Sequence, residues 1–161
     1  MMRVDSRDRL SVRDDLLDTR SPGRTIALLA PTVEECESAG CGYDAASDSG
    51  IDATCSSCDG LGQVVTNWAV SEIKANIRIV DQALVTFGQT PAGSQLGDTF
   101  VTIGLRDLPM MRMVYNNPNA YIALDNHSFR PNSIEAAGLG RIEEYVVLLV
   151  SNRPRFRKKG Y

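Results

Sequence analysis

Polar and apolar positions alternate most regularly along Glu72-Ile73-Lys74-Ala75-Asn76-Ile77-Arg78-Ile79. A period of two is what a strand with one buried face requires. Val64-Val65-Thr66 opens this β region, and Phe100-Val101-Thr102-Ile103 resumes it after Gly97-Asp98. Met111-Arg112-Met113-Val114-Tyr115 and Ala120-Tyr121-Ile122-Ala123-Leu124 flank Asn116-Asn117-Pro118-Asn119, a run rich in turn formers, so the two are predicted as strands of a hairpin. A further turn over Asp125-Asn126-His127-Ser128 leads to Phe129 and, past Pro131, to Ile134. Tyr145-Val146-Val147-Leu148-Leu149-Val150 is almost continuously apolar and fits a central strand with both faces covered. About six short strands, with turns roughly every ten residues, predict a mainly β fold over 63–152: a small antiparallel β-barrel or sandwich.

The flanks differ. Residues 1–31 read as an N-terminal arm, in which Leu10, Val12, Leu16 and Leu17 loosely follow helical spacing until Ser21-Pro22-Gly23 stops them. The brief apolar segment Ile26-Ala27-Leu28-Leu29-Ala30, closed by Pro31, is expected to be a strand or an anchor for that arm. Residues 153–161 form a basic tail, Arg153-Pro154-Arg155-Phe156-Arg157-Lys158-Lys159-Gly160-Tyr161, expected to project. Residues 32–62 are an insert of another kind. Glu34, Glu35, Glu37, Asp44, Asp48, Asp52 and Asp59 stand there without any Lys or Arg, and Val33, Tyr43, Ile51 and Leu61 are the whole supply of large apolar side chains. That supply is too small to offset the ordering entropy of the segment, so something other than a hydrophobic core must hold it.

All four cysteines lie in this insert. Cys36-x4-Cys41 and Cys55-x2-Cys58 are two close pairs separated by a loop, the arrangement from which two chelating turns can face each other across a tetrahedral metal. Gly42 follows the first pair, and Gly60 and Gly62 follow the second, where glycine lets the backbone curl back and donate N–H groups to sulfur. Four soft thiolates favour Zn²⁺ over Mg²⁺ or Ca²⁺, and zinc binding can contribute on the order of 10 kcal/mol to folding. With every ligand a cysteine, no coordination position stays open, so such a site is structural rather than catalytic. Two disulfides, an iron–sulfur cluster and a redox Cys-x-x-Cys share the composition. The first would want an oxidising compartment, the second a context of electron transfer and the third a βαβ unit.

Composition narrows the function classes. The 161 residues suit a single domain with a small satellite, and 43% hydrophobic content suffices for a core. A net charge of −3 argues against a domain that binds nucleic acid with its whole surface. No apolar run approaches the roughly 20 residues of a membrane span, and the charged start Met1-Met2-Arg3-Val4-Asp5 does not read as a secretory signal. A soluble, non-secreted protein is expected. The one histidine, His127, falls in a polar turn. Asp98 and Asp125 read as turn residues, Glu143-Glu144 as a solvated strand opening, and Trp68 and Phe87 as core or seam. Gly138-Leu139-Gly140 lacks the context of a phosphate loop. No nucleophile–base pair can be nominated, so the chain is not expected to be an enzyme. Arg153, Arg155, Arg157, Lys158 and Lys159 could meet phosphates or an acidic partner.

Two resemblances add to this. Cys55-Ser56-Ser57-Cys58-Asp59-Gly60-Leu61-Gly62 is similar to the C-x-x-C-x-G-x-G unit of the zinc centre in DnaJ-type chaperones. Those proteins carry four such units and a His-Pro-Asp signature, whereas here one complete unit stands and His127 precedes Ser128, so the likeness implies a zinc knuckle and not a chaperone. Gly97-Asp98-x-Phe100-Val101-Thr102-Ile103 and Tyr121-Ile122-Ala123-Leu124-Asp125-Asn126-His127-Ser128-Phe129-Arg130-Pro131 resemble barrel strands of the head-closure or stopper-type neck proteins of tailed bacteriophages, some of which carry cysteine pairs ahead of the barrel. This resemblance implies a structural virion protein, made in the host cytoplasm and located at the head–tail junction. It implies a homo-oligomeric ring, hexamer or dodecamer, between the portal or adaptor and the tail proteins, helping to close the channel and able to touch packaged DNA, with no membrane contact. The alternative from the residues alone is a zinc-containing nucleic-acid-binding module with an OB-like barrel.

Overall fold

A computed structural model describes residues 23–79, 95–136 and 144–161 of the chain. The helix or arm expected before Ser21, Phe87, Gly138-Leu139-Gly140 and Glu143 lie outside the described residues. The chain forms two compact units, Ala30–Ala69 and the combination of Met1–Leu29 with Val70–Tyr161.

The main sheet has six antiparallel strands, two of which continue into the smaller unit. They are β1 (Arg24–Glu35), β4 (Gln63–Ile79), β5 (Thr99–Gly104), β6 (Tyr121–Leu124), β7 (His127–Ala136) and β8 (Glu144–Ser151), while the short strands β2 (Tyr43–Asp44) and β3 (Ser49–Gly50) form a separate hairpin in the smaller unit. The hydrogen-bonding order β1-β4-β5-β8-β7-β6 returns on itself, because β6 pairs with β1 through Ala27↔Ala123, Leu28↔Ile122 and Leu29↔Tyr121. The mainly β, antiparallel class is thus the one the alternation predicts. Ile26, Leu28, Leu29, Val101, Ile103, Tyr121, Ile122 and Val147 on these strands are fully buried, and since Leu28 and Leu29, like Tyr121 and Ile122, point to opposite faces, β1 and β6 are covered on both. The covering of both faces expected of Tyr145–Val150 holds at Val147, Leu148 and Leu149, where β8 pairs with β5 and β7, whereas Val150 is 42% exposed.

Several local expectations are corrected. Pro31 does not close the segment Ile26–Ala30, because β1 runs through it, with Pro31 buried, to Glu35. Val64–Thr66 and Glu72–Ile79 are parts of a single strand of 17 residues. The segment Met111–Tyr115 is helical and not a strand: α1 spans Leu108–Asn116, packs on β7, and buries Leu108, Met111 and Val114. Those three are spaced by three residues, so they share one helical face, and Pro109 sits in the first turn, where its missing N–H costs nothing. Asn117–Asn119 then links helix to strand, with Ala120 N–H donating to Asn117 O at 3.1 Å. The β6–β7 turn is tighter than the four residues expected. Asp125 and Asn126 alone form it, both at positive φ, and His127 and Ser128 already belong to β7. Pro131 is accommodated within β7 at a bulge, where the register shifts between Pro131 and Ser133.

The basic tail does not project. Phe156 is buried, the Lys158 backbone N–H donates to the hydroxyl of buried Tyr121 at 3.0 Å, and the Arg157 guanidinium reaches Asn126 O at 3.4 Å. The apolar Phe156 between charged neighbours supplies the anchor. At the opposite end of the described chain, Arg24 pairs with Asp125 on the β6–β7 turn. Both side chains are about half exposed, so the pair contributes modestly.

Candidate metal centre

The Ala30–Ala69 unit has almost no conventional core. Its buried cluster consists of Cys36, Cys41, Cys55 and Cys58, with half-buried Val64 packed against them. All four Sγ atoms lie within 4.8 Å of one another, so the structure brings together the whole predicted ligand set. Cys36 and Cys55 are separated by 3.9 Å, and Cys41 and Cys58 by 3.2 Å. Four thiolates at about 2.3 Å from a tetrahedral ion stand about 3.8 Å apart. The quartet is therefore close to coordination size, with Cys41 and Cys58 needing to spread by about half an ångström.

Two turns, held by the paired ends of β1 and β4, place these sulfurs. Cys36 follows β1 directly, and its N–H donates to Gly62 O at 2.9 Å just before β4, while the Thr66 hydroxyl donates to Thr32 O at 3.4 Å. In the first turn Cys41 N–H donates to Ser38 O at 2.9 Å. In the second, Gly60 N–H donates to Cys55 O at 3.0 Å, Leu61 N–H to Cys58 O at 2.9 Å, and Gly62 N–H to Cys58 Sγ at 3.2 Å. That last bond is the N–H-to-sulfur support expected of the trailing glycines. The Ser38 hydroxyl donates to that of Ser57 at 2.9 Å, joining one turn to the other.

The loop between the pairs folds back onto the second turn. The β2–β3 hairpin pairs Tyr43 with Gly50, after which Gly50 N–H donates to Gly60 O at 2.9 Å and Ile51 N–H to Gly42 O at 2.8 Å. A Cβ on Gly50 would sit 2.6 Å from Gly60 O, and one on Gly60 would sit 2.5 Å from Ala53 O. Backbone lies directly on backbone, which only glycine permits. The carboxylates of the loop serve it locally. Asp44 accepts from the Ser47 hydroxyl and Ala46 N–H, and Asp52 from the hydroxyl and N–H of Thr54, and these bonds hold both acids below their ordinary pKa. Tyr43 donates its hydroxyl to Asp48 at 2.6 Å and its backbone N–H to Glu35 at 3.2 Å.

Electrostatics among the sulfurs favour a cation. Hydrogen bonding with Cys41 first, and then the Ser57 N–H, pulls the Cys55 thiol down to about 6 against the opposing effect of burial. The Cys41 thiol, bonded chiefly to Cys55, is pushed up. One thiolate therefore forms readily, while further deprotonation would crowd negative charges into a buried volume. A divalent ion relieves that repulsion and releases the remaining protons. The donor set and its spacing thus fit a metal held by four cysteines.

The other sequence candidates are dispersed. Arg153, Arg155, Arg157, Lys158 and Lys159 belong to the larger unit, with Arg155 placed over the Phe156 ring at 5.5 Å. His127 is exposed beside Phe129, their ring centroids 6.4 Å apart, and Trp68 is half-buried. Asp98 closes a turn by accepting from Gln95 N–H at 2.7 Å. Sequence reasoning missed the serine bridge, because Ser57 beside Cys58 meets Ser38 only when the two turns face each other, and it missed the part played by Gly50, which is adjacent to no cysteine. Compared with protein-family models, curated proteins and solved structures, the chain matches none.

Proposed function

We propose that Cys36, Cys41, Cys55 and Cys58 hold a structural zinc ion, and that the chain is a non-enzymatic assembly part: a head-closure protein forming a ring in the neck of a tailed bacteriophage. The observation that carries the zinc reading is the convergence of four buried sulfurs in a unit with almost nothing else to bury. Bound there, zinc would supply cross-linking, and four cysteine ligands would leave no position for a substrate. This favours scaffold over catalyst.

The assembly reading is supported by the sequence likeness of Gly97–Ile103 and Tyr121–Pro131 to neck-protein strands. In the chain these fall on β5 and on the β6–β7 hairpin. A small β ring sets subunit spacing, and a second unit enlarges the surface available to neighbours. The neighbours in this reading are further copies of the chain, the portal or adaptor above and the tail below, with packaged DNA in the channel.

Elemental analysis and electron microscopy of the purified full chain test the two halves together. A single zinc per chain, lost to a strong chelator, and closed sixfold or twelvefold rings are the expected results. Metal-free protein would remove the zinc reading. Monomers that bind DNA tightly, with affinity collapsing as salt rises, would replace the neck reading with that of a nucleic-acid-binding module.

A further inference from the structure

Charge is segregated between the two units. Ala30–Ala69 holds seven of the chain's 20 acidic residues and none of its 17 Lys and Arg, so every basic residue falls in the other unit. Glu34, Glu35, Glu37, Asp44, Asp48 and Asp59 are exposed, with only Asp52 half-buried. Glu34, Glu37 and Asp59 form no ion pair among the described residues. Amid these acids stands one large apolar side chain, Ile51, 71% exposed and lying over Gly42.

The larger unit carries a counterpart. Arg153, Arg157 and Lys159 are exposed on a segment that buried Phe156 and the Lys158–Tyr121 hydrogen bond fasten in place. The basic groups are therefore presented from a fixed backbone, which lowers the ordering entropy lost when a partner binds. Exposed apolar residues flank the segment in sequence, Val150 before it at 42% and Tyr161 after it at 37%. Exposed apolar side chains next to charges, acidic on one surface and basic on the other, are the composition of a matched pair of interface halves.

We propose that the Ala30–Ala69 unit of one copy docks on the Arg153–Lys159 segment of the next copy, Ile51 entering against the apolar residues beside the basic groups. Because the two halves are different surfaces of one chain, the contact is head-to-tail, and repetition of it makes a ring or a filament. The occupant is a second copy because the chain already carries both complementary halves. This names the subunit contact of the assembly proposed above, and rests on that reading only in taking the chain to self-associate.

Two charge-reversed forms of the full, zinc-loaded chain test it by sedimentation velocity. One carries Glu34→Lys, Glu37→Lys and Asp59→Lys, and the other Arg153→Glu, Arg157→Glu and Lys159→Glu. Each alone is expected to sediment as a monomer, and an equimolar mixture to regain assembly, since reversed acids then face reversed bases. The wild type is expected to dissociate as ionic strength approaches about 1 M, where the screening length is about 3 Å. Assembly by either variant alone, a mixture that stays monomeric, or wild-type assembly indifferent to salt would overturn the proposal. Microscopy of the same samples separates it from the neck reading. Rings that survive both reversals keep the neck and sink this contact, whereas open filaments that dissolve on reversal and return on mixing keep the contact and sink the neck.

Discussion

At Gly62 a backbone angle decides whether the second cysteine turn can form. Its φ is +71°, and a Cβ there would sit 2.6 Å from Gly42 O and 2.7 Å from Gly50 Cα, both backbone atoms unable to move aside cheaply. Gly40 has nearly the same φ, +78°, but open space around it. Gly40→Ala is therefore expected to cost only the left-handed penalty of about 1–2 kcal/mol. Gly62→Ala adds a backbone clash and displaces the N–H that supports Cys58, so it should weaken retention of the proposed zinc considerably more. Competition with a chromophoric chelator ranks the two variants, and equal retention would contradict the difference in crowding. The cysteine spacing and the glycines that trail each pair could be read directly from the sequence, because both act within a few residues of the ligands. Gly50 could not be recognised, since what excludes a side chain there is the carbonyl of Gly60, reached only when the loop folds back.

Among the elements, α1 shows where local pattern misleads. Met111–Tyr115 next to an Asn-rich turn looks like half of a hairpin, yet its buried positions, Leu108, Met111 and Val114, recur every three residues. A window of five residues is too short to separate a period of two from one of 3.6, and the distinguishing positions begin at Leu108, outside it. The strands β5 and β8 were legible because β-branched and apolar runs longer than four residues leave little choice. Met111 is fully buried whereas Met113 is 40% exposed. Met111→Ala is expected to destabilise the fold by about 2–5 kcal/mol, while Met113→Ala should stay within about 0.5 kcal/mol. Denaturant unfolding of the two variants measures this, and similar midpoints would show that the helix does not face the ring as described.

For the whole molecule, stability comes from two different sources. The larger unit buries Ile26, Leu28, Tyr121, Ile122 and Val147, whereas the smaller one buries chiefly its thiols. Cys58→Ser, or removal of the proposed zinc, should therefore expose Ala30–Ala69 to protease while the β signal of the larger unit persists in circular dichroism. Complete loss of that signal would mean that both units depend on the metal. The tail was misread for a related reason, since its charge advertises solvent while a single aromatic, Phe156, determines where it lies.

The cyclic order of β1, β4, β5, β8, β7 and β6 has a consequence for recruitment. Every strand of that sheet has a neighbour on each side, and where the pairing runs, as along β5, β8 and β7, the main-chain amides and carbonyls are already engaged and cannot template an incoming segment. Along those stretches strand addition, which recognises almost any extended peptide, is closed. What those stretches admit is decided by their outward side chains, a stricter form of selection than main-chain pairing.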